Sequence, residues 1–143
     1  MVYYFYMKAC LACSVQLSGC QIKYCSNKCQ FDYQYTLYIR QWKRGLVDGN
    51  RGIVTRNISR CLRRYLIEKY GEKCSICGWG EKHPINGTSP LEVDHMDGNS
   101  ENNKELNLRL LCPNCHSLTS NFRNHNKGKG RVWRKDKYIS NKR

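Results

Sequence analysis

The sequence of 143 residues lacks a long apolar run. No stretch of about 18 or more apolar residues occurs, so we expect no membrane-spanning helix and no membrane partner. Residues 1–6 are aromatic but short, and they lack the charged region and the long apolar region of a secretory signal. We therefore expect the protein to stay in a reducing compartment, where cysteines bind metals more often than they form disulfides.

Acidic residues are scarce, because 11 Asp and Glu stand against 25 Lys and Arg and leave a formal net charge of +14. Eight of the acids lie between Glu68 and Glu105, whereas residues 1–66 hold eleven basic residues and two acids. From Arg123 to the last residue there are nine basic residues and one acid. Two basic wings thus flank an acidic centre, which indicates a polyanion such as nucleic acid as the partner.

Aliphatic residues are too few for a large core, and small domains of this kind need metals or disulfides for stability. Ten cysteines are available. Cys74-x2-Cys77 and Cys112-x2-Cys115 are paired knuckles with the spacing that is typical of a tetrahedral Zn²⁺ site. Four protein ligands leave no open position on the metal, so we expect this zinc to be structural.

A second zinc site is predicted near the N-terminus, where Cys10 and Cys13 precede Cys25 and Cys29. Cys20 lies between the pairs and could replace Cys25. The Cys-x3-Cys spacing at a helix start favours Cys25 and Cys29, because helix amides stabilise thiolates. The module around this zinc is predicted to dock DNA; the alternative is that the metal only supports folding.

Residue periodicity predicts a small, zinc-stabilised α+β protein. Aromatic residues from Phe31 to Trp42 predict one face of a helix that starts after Ser26 or Asn27. A second helix is predicted at about 58–69 with Asn57 as its cap, followed by strands at 91–95 and 107–111 and a helix at about 113–122. We assign residues 1–46 to an N-terminal zinc-binding module, 47–56 to a linker, 57–125 to a second domain and 126–143 to a basic tail.

Polar side chains between the knuckles form an ordered set, with Asp94-His95, then Asn107, and then His116 directly after the last cysteine. The stretch from about 74 to 120 resembles the HNH endonuclease family, and the whole chain resembles its phage homing-type members with an N-terminal zinc finger. The resemblance implies a ββα-metal fold, in which a hairpin and a helix hold one catalytic divalent cation. It also implies that His95 is the general base, that Asp94 and His116 bind the cation, and that Asn107 holds the loop that orients the base.

The chemistry of these residues agrees with such roles. A neutral imidazole has a pKa of about 6.5 and can take a proton from water, while a divalent cation offsets charge on the leaving 3′ oxygen. Successive strand residues point to opposite faces, so Asp94 and His95 are expected to serve the metal and the water separately. Mg²⁺ or Mn²⁺ is expected, and the imidazole ligand admits other divalent metals. The loop held by Asn107 is the candidate for fixing the His95 tautomer.

The resemblance implies a metal-dependent endonuclease for double-stranded DNA, acting as a monomer or homodimer in the cytoplasm, or in the host cytoplasm if a phage encodes it. The alternative is a non-catalytic zinc-finger protein that binds nucleic acid, which would have no use for the ordered polar set. A restriction enzyme would share the active site. The basic residues expected to contact DNA are Lys43, Arg44, Arg60, Arg63, Arg64, Arg123, Lys127, Lys129 and Arg131.

Overall fold

The computed structural model describes residues 8–52 and 57–126. The chain divides into two compact units, Met1–Leu46 and Val47–Arg143. Within the described ranges, no helix has the length and apolar character needed to cross a membrane. Three predicted DNA contacts, Lys127, Lys129 and Arg131, lie outside the described residues, as does most of the predicted tail.

The first unit contains a cysteine-bearing loop and the helix α1 (Asn27–Lys43). Ser26, one of the two caps that the sequence allows, accepts a hydrogen bond from the Cys29 amide at 3.2 Å. Ile39 and Trp42 are buried, whereas Phe31 is 67% exposed although the aromatic spacing places it on the same helix face as Trp42. The helix therefore buries its apolar face near its end, while the cysteine cluster holds its start.

In the second unit, the helix α2 (Arg60–Tyr70) begins two residues later than predicted. Its cap is Ser59 and not Asn57, because the Ser59 hydroxyl accepts a hydrogen bond from the Leu62 amide at 3.2 Å. Leu62 and Leu66 are fully buried, as the predicted apolar stripe requires. Through this stripe α2 packs against the second strand of the unit.

The strands β1 (Glu92–His95) and β2 (Leu108–Leu111) form an antiparallel pair. In its register Asp94 lies opposite Arg109 and His95 lies opposite Leu108. The helix α3 (Pro113–Ser117) follows β2 directly and packs against both strands. It is shorter than predicted, because the next amides bond to carbonyls three residues back and so close the helix in tight turns.

The segment predicted as a linker is bonded into the second unit over its described residues, 47–52. The Gly49 carbonyl accepts from the Ser59 amide at 2.9 Å, and Asn50 forms an isolated bridge with Ile58. The Asp48 carbonyl accepts a hydrogen bond from the Asn103 side chain at 2.9 Å. Turn-forming residues that are typical of a linker thus form a packed turn here.

Candidate active site and metal centres

Four cysteines of the second unit converge in the structure. The Sγ atoms of Cys74, Cys77, Cys112 and Cys115 all lie within 4.8 Å of one another, and those of Cys77 and Cys112 are 3.8 Å apart. Zinc–sulfur bonds of about 2.3 Å in a tetrahedron place sulfurs about 3.8 Å apart, so the cluster can hold such a metal. Cys74 and Cys112 are also part of the buried core, which ties the cluster to the fold.

The acidity of these thiols is uneven. Burial raises the pKa of Cys74, but backbone N–H groups, first that of Cys77, outweigh this effect and lower the pKa to about 6. In contrast, a hydrogen bond with the Cys77 side chain is the main cause that raises the pKa of Cys115 to about 12. Thiols this close do not all ionise by themselves, because each thiolate disfavours the next. A divalent cation would supply the missing positive charge, and its binding would release protons.

The N-terminal cluster has a similar geometry. The Sγ atoms of Cys10, Cys13, Cys25 and Cys29 lie within 4.8 Å of one another. The Sγ of Cys25 is 3.5 Å from that of Cys13 and 3.4 Å from that of Cys29. The structure therefore brings Cys25 and not Cys20 into the cluster, and Cys20 is exposed. Cys29 is the main cause that raises the pKa of Cys25 to about 12, so this cluster also calls for a cation.

Asp94 is 5% exposed and is held from across the sheet. Arg109, its partner in the register, donates from Nε to Asp94 Oδ2 at 2.7 Å. The other carboxylate oxygen, Oδ1, lies 3.7 Å from Nε2 of His116 on α3. Bonds of about 2.1 Å to a divalent cation allow two ligand atoms to be roughly 3 to 4 Å apart. Asp94 Oδ1 and His116 Nε2 can therefore share one cation, with most of its positions left open.

Glu92 is a site residue that the sequence analysis missed. Its Oε2 contacts His116 Nδ1. The Glu92 carboxylate keeps the imidazole proton of His116 on Nδ1, so the lone pair of Nε2 faces Asp94. A carboxylate is a usual outer partner of a metal-binding histidine. Strand alternation could have found Glu92, because residues two apart share one face of β1.

His95 follows Asp94 on β1 and is half-buried. Strand alternation directs it away from the Asp94 face. Its Nε2 lies 2.8 Å from Oδ1 of Asn103, another residue that the sequence analysis did not assign to the site. Asn103 lies in the loop between the strands and is 4% exposed.

The Asn107 side chain forms hydrogen bonds to several positions of the loop between the two strands. Its Nδ2 donates to Asp97 Oδ1 and to the Asn102 carbonyl, each at 2.8 Å. Its Oδ1 accepts from the Asp97 amide at 3.0 Å, and its carbonyl accepts from the Met96 amide at 2.9 Å. The buried side chain thus fixes the loop that directly follows Asp94 and His95.

Comparison with known proteins places this site in a family. A family model described as HNH endonuclease matches residues 74–122, which include the second cysteine cluster, both strands and α3. Residues 74–122 are an HNH endonuclease domain.

Among curated proteins, the H-N-H endonuclease F-TflIV of Escherichia phage T5 is 50% identical over 60 residues. This match covers 40% of the present chain and 24% of the relative, so the chain spans about a quarter of that protein's length. No solved structure matches the chain significantly.

Basic residues predicted to contact DNA have different environments around the HNH domain. Arg60 at the start of α2 is exposed, as is Arg123 after α3. The Arg123 guanidinium lies 5.0 Å from the centroid of the Phe122 ring, and that ring packs edge-on against His116 with centroids 5.3 Å apart. Arg123 is therefore placed beside one proposed cation ligand.

Arg63, another predicted DNA contact, is hydrogen-bonded within the second unit. Its guanidinium donates to the Leu91 carbonyl and, at 3.1 Å, to the Ser89 carbonyl, just before β1. Nε of Arg64 lies 2.7 Å from Oε1 of Glu68 on the exposed side of α2. In the first unit, Lys43 and Arg44 are exposed at the end of α1.

Proposed function

We propose that the protein is a metal-dependent DNA endonuclease, in which His95 is the general base and Asp94 and His116 hold one divalent cation. The observation that carries the proposal is the facing pair of Asp94 Oδ1 and His116 Nε2, 3.7 Å apart within the HNH domain. The adjacent imidazole of His95 and the net charge of +14 support it.

The chain's own residues divide the work of hydrolysis. His95 takes a proton from water as the water oxygen attacks the phosphorus and the bond from phosphorus to the 3′ oxygen breaks. The 3′ oxygen takes up a proton from solvent, so the products are a 5′-phosphate and a 3′-hydroxyl. Arg109 binds one oxygen of Asp94 and leaves the other for the cation, and Glu92 orients His116. A cation bound there offsets the charge that develops on the leaving 3′ oxygen.

In this proposal β1, β2 and α3 form the ββα-metal unit that the family resemblance implies. Mg²⁺ or Mn²⁺ occupies the site of Asp94 and His116, because carboxylate, imidazole and water suit these ions. The two clusters of four cysteines hold structural Zn²⁺, since thiolates favour that metal. Residues 57–125 then carry the cutting activity, and residues 1–46 dock DNA.

The substrate is double-stranded DNA, held by the basic residues on both sides of the acidic centre. Two zinc modules on a small basic chain, as in phage homing-type endonucleases, favour a homing-type role. Likeness to an endonuclease of a phage supports activity in the cytoplasm of a host cell. One active site in each chain cuts one strand in each event. A double-strand break therefore takes a homodimer or two encounters of a monomer.

A plasmid cleavage assay tests this function. Supercoiled DNA is incubated with the full chain and with Mg²⁺ or Mn²⁺; reactions without added metal are the control, because a chelator would also remove structural zinc. Wild type should relax or linearise the plasmid, and His95→Ala should be slower by about 10²-fold or more.

His83→Ala is the matched control variant, because it removes an exposed imidazole in the loop before β1 and should cut like wild type. A result in which all three proteins shift the DNA in a gel but none cuts it, with several DNAs and metals, would overturn the nuclease. It would favour the non-catalytic zinc-finger function.

A further inference from the structure

We propose that the segment Asp48–Asn50 positions the catalytic base: through Asn103 it holds His95 with the proton on Nε2 and with Nδ1 available to water. This inference rests on the proposed function, because it takes His95 to be the base. The segment precedes residues 74–122, which the family model matches. Its involvement therefore extends the active site beyond the HNH domain.

The orientation of the Asn103 amide follows from its partners. Nδ2 donates to the Asp48 carbonyl at 2.9 Å and to Asn50 Oδ1 at 3.1 Å. A flipped amide would place an oxygen against the Asp48 carbonyl, and two acceptors do not bond. Oδ1 must therefore face His95, at 2.8 Å from Nε2. Because an amide oxygen only accepts, Nε2 of His95 carries the proton.

A further layer fixes the orientation of Asn50. Its side-chain Nδ2 donates to Asp48 Oδ2 at 2.8 Å, so its Oδ1 is the atom left to accept from Asn103. The backbone N–H of Asn50 also donates to Asp48 Oδ1 at 2.9 Å. The hydrogen bonds thus run in one direction, from His95 through Asn103 to the turn at Asp48 and Asn50.

Gly49 brings the turn close enough for these bonds. It is buried and has a φ of +82°, which favours glycine. A Cβ atom at this position would lie 2.6 Å from Leu62 Cδ1 and 2.9 Å from Asn103 Cβ, closer than atoms pack. The Gly49 carbonyl also accepts from the Ser59 amide at 2.9 Å, which anchors the turn to the start of α2.

The consequence for catalysis concerns the orientation of the base. An imidazole that donates from Nε2 to a fixed oxygen keeps its ring in one plane and presents the Nδ1 lone pair in one direction. Loss of the outer partner of a metal-binding histidine costs about 10- to 100-fold in activity, and we expect a loss of the same order for the base. Since Asn103 is buried and acts through the base, we expect the loss in kcat, with the KM for DNA unchanged.

The test is nitrogen NMR of the imidazoles of the full, metal-loaded chain at about pH 8, where imidazoles are neutral. Four histidines make the spectrum simple, and His95→Ala assigns the signal. Wild type should show a slowly exchanging proton on Nε2 of His95. Asn103→Leu should speed that exchange at least about tenfold. Asn103→Asp keeps an acceptor for His95 but places an oxygen against the Asp48 carbonyl, so its exchange rate should lie between those of wild type and Asn103→Leu.

Two further variants keep the test decisive if Asn103→Leu does not fold. Asn50→Ala removes only the outer layer and should give an intermediate exchange rate and an intermediate kcat. Asn102→Ala is the matched control. The side-chain Nδ2 of Asn102 donates to Asp97 Oδ2, so its removal should leave the exchange rate of the His95 proton unchanged.

The outcomes separate this inference from the function on which it rests. If wild type cuts DNA while the Asn103 and Asn50 variants keep both the slow exchange and the kcat, the inference is wrong and the nuclease stands. If wild type cuts no DNA under any condition, the proposed function is wrong and His95 loses the role of base. Faster exchange together with a lower kcat and an unchanged KM supports the inference.

Discussion

At the scale of single residues, the site is defined by which atom of each side chain is already engaged. Arg109 binds Asp94 Oδ2 and leaves Oδ1, and Glu92 contacts His116 Nδ1 and leaves Nε2. The two remaining atoms face each other at 3.7 Å. In the proposed site, these outer partners would orient both side chains before a cation binds and so lower the ordering cost of binding.

Glu92 gives the first prediction at this scale. We expect Glu92→Ala to weaken the binding of Mn²⁺ by about 10- to 100-fold, because His116 loses the acceptor that orients its ring. Glu92→Gln keeps an acceptor oxygen and should bind nearly as wild type does. Titration calorimetry on the zinc-loaded chain measures the affinity. Equal affinities in wild type and Glu92→Ala, at equal zinc content, would show that the contact of Glu92 with His116 does not contribute to cation binding.

Asp97 gives a prediction for acid conditions. Burial raises its pKa, but hydrogen bonds from the Asn102 side chain, from the Asn99 backbone amide and from the Asn107 side chain outweigh this effect, so the pKa lies below that of an ordinary aspartate. The folded chain then binds fewer protons than the unfolded chain at this carboxyl. Its contribution to stability is complete above the ordinary pKa and is lost as pH falls through the lowered value.

Urea unfolding between about pH 5 and about pH 3 checks this sign. Wild type should lose more unfolding free energy over this range than Asp97→Asn, which cannot titrate. Acid also removes metal from cysteine clusters, but this loss is common to both proteins and cancels in their difference. Parallel losses in the two proteins would mean that the pKa of Asp97 is not lowered by folding.

At the scale of elements, the sequence predicted what depends on local spacing. The cap of α1 at Ser26 (one of two candidates), the apolar stripe of α2, the two strands and the four-cysteine groups all follow from residues close together in the chain or from repeated knuckles. The N-cap of α2 was misplaced by two residues, because Asn57 and Ser59 are both good caps and only the tertiary bond from Ser59 to Gly49 selects one.

Contacts between distant segments were the part that the sequence did not predict. Asn103 and Asp48 are 55 positions apart, and no periodicity links them. Asp48, Gly49 and Asn50 have the composition of a loop, and composition does not tell a packed turn from a linker. Arg63 likewise has the charge of a DNA contact, although its guanidinium serves two carbonyls before β1.

The cysteine clusters give a prediction at the scale of elements. We expect two zinc ions per chain, measured by native mass spectrometry. Cys13→Ser should lose one of them, because that thiol belongs to the N-terminal cluster. Cys20→Ser is the matched control and should keep both, since Cys20 lies outside the cluster. A zinc lost from Cys20→Ser but kept by Cys13→Ser would reverse the ligand assignment.

At the scale of the whole molecule, charge is the property that links the sequence to a substrate. A net charge of +14 arises from basic residues at both ends of the chain, while most acids lie in the middle. Binding to DNA through such charges releases counterions, so affinity should fall steeply as salt rises. This dependence measures phosphate contacts without any assumption about cleavage.

The salt dependence tests the predicted contacts of the tail. Replacing Lys127, Lys129 and Arg131 with alanine lowers the net charge from +14 to +11. If all three bind phosphate, the slope of log affinity against log salt should become less steep by about 2.7, since each contact contributes about 0.9. Fluorescence anisotropy with a duplex over a series of salt concentrations gives the slope.

Lys82→Ala is the control for this series, because Lys82 is paired with Glu72 at 3.0 Å within the acidic centre. It removes a positive charge but should leave the slope unchanged, which separates specific phosphate contacts from net charge alone. If instead the triple variant keeps the wild-type slope, the tail does not contact phosphate. The DNA would then be held by exposed residues of the folded units. Arg60 and Arg123 are the next to replace, because both are predicted DNA contacts and both are exposed.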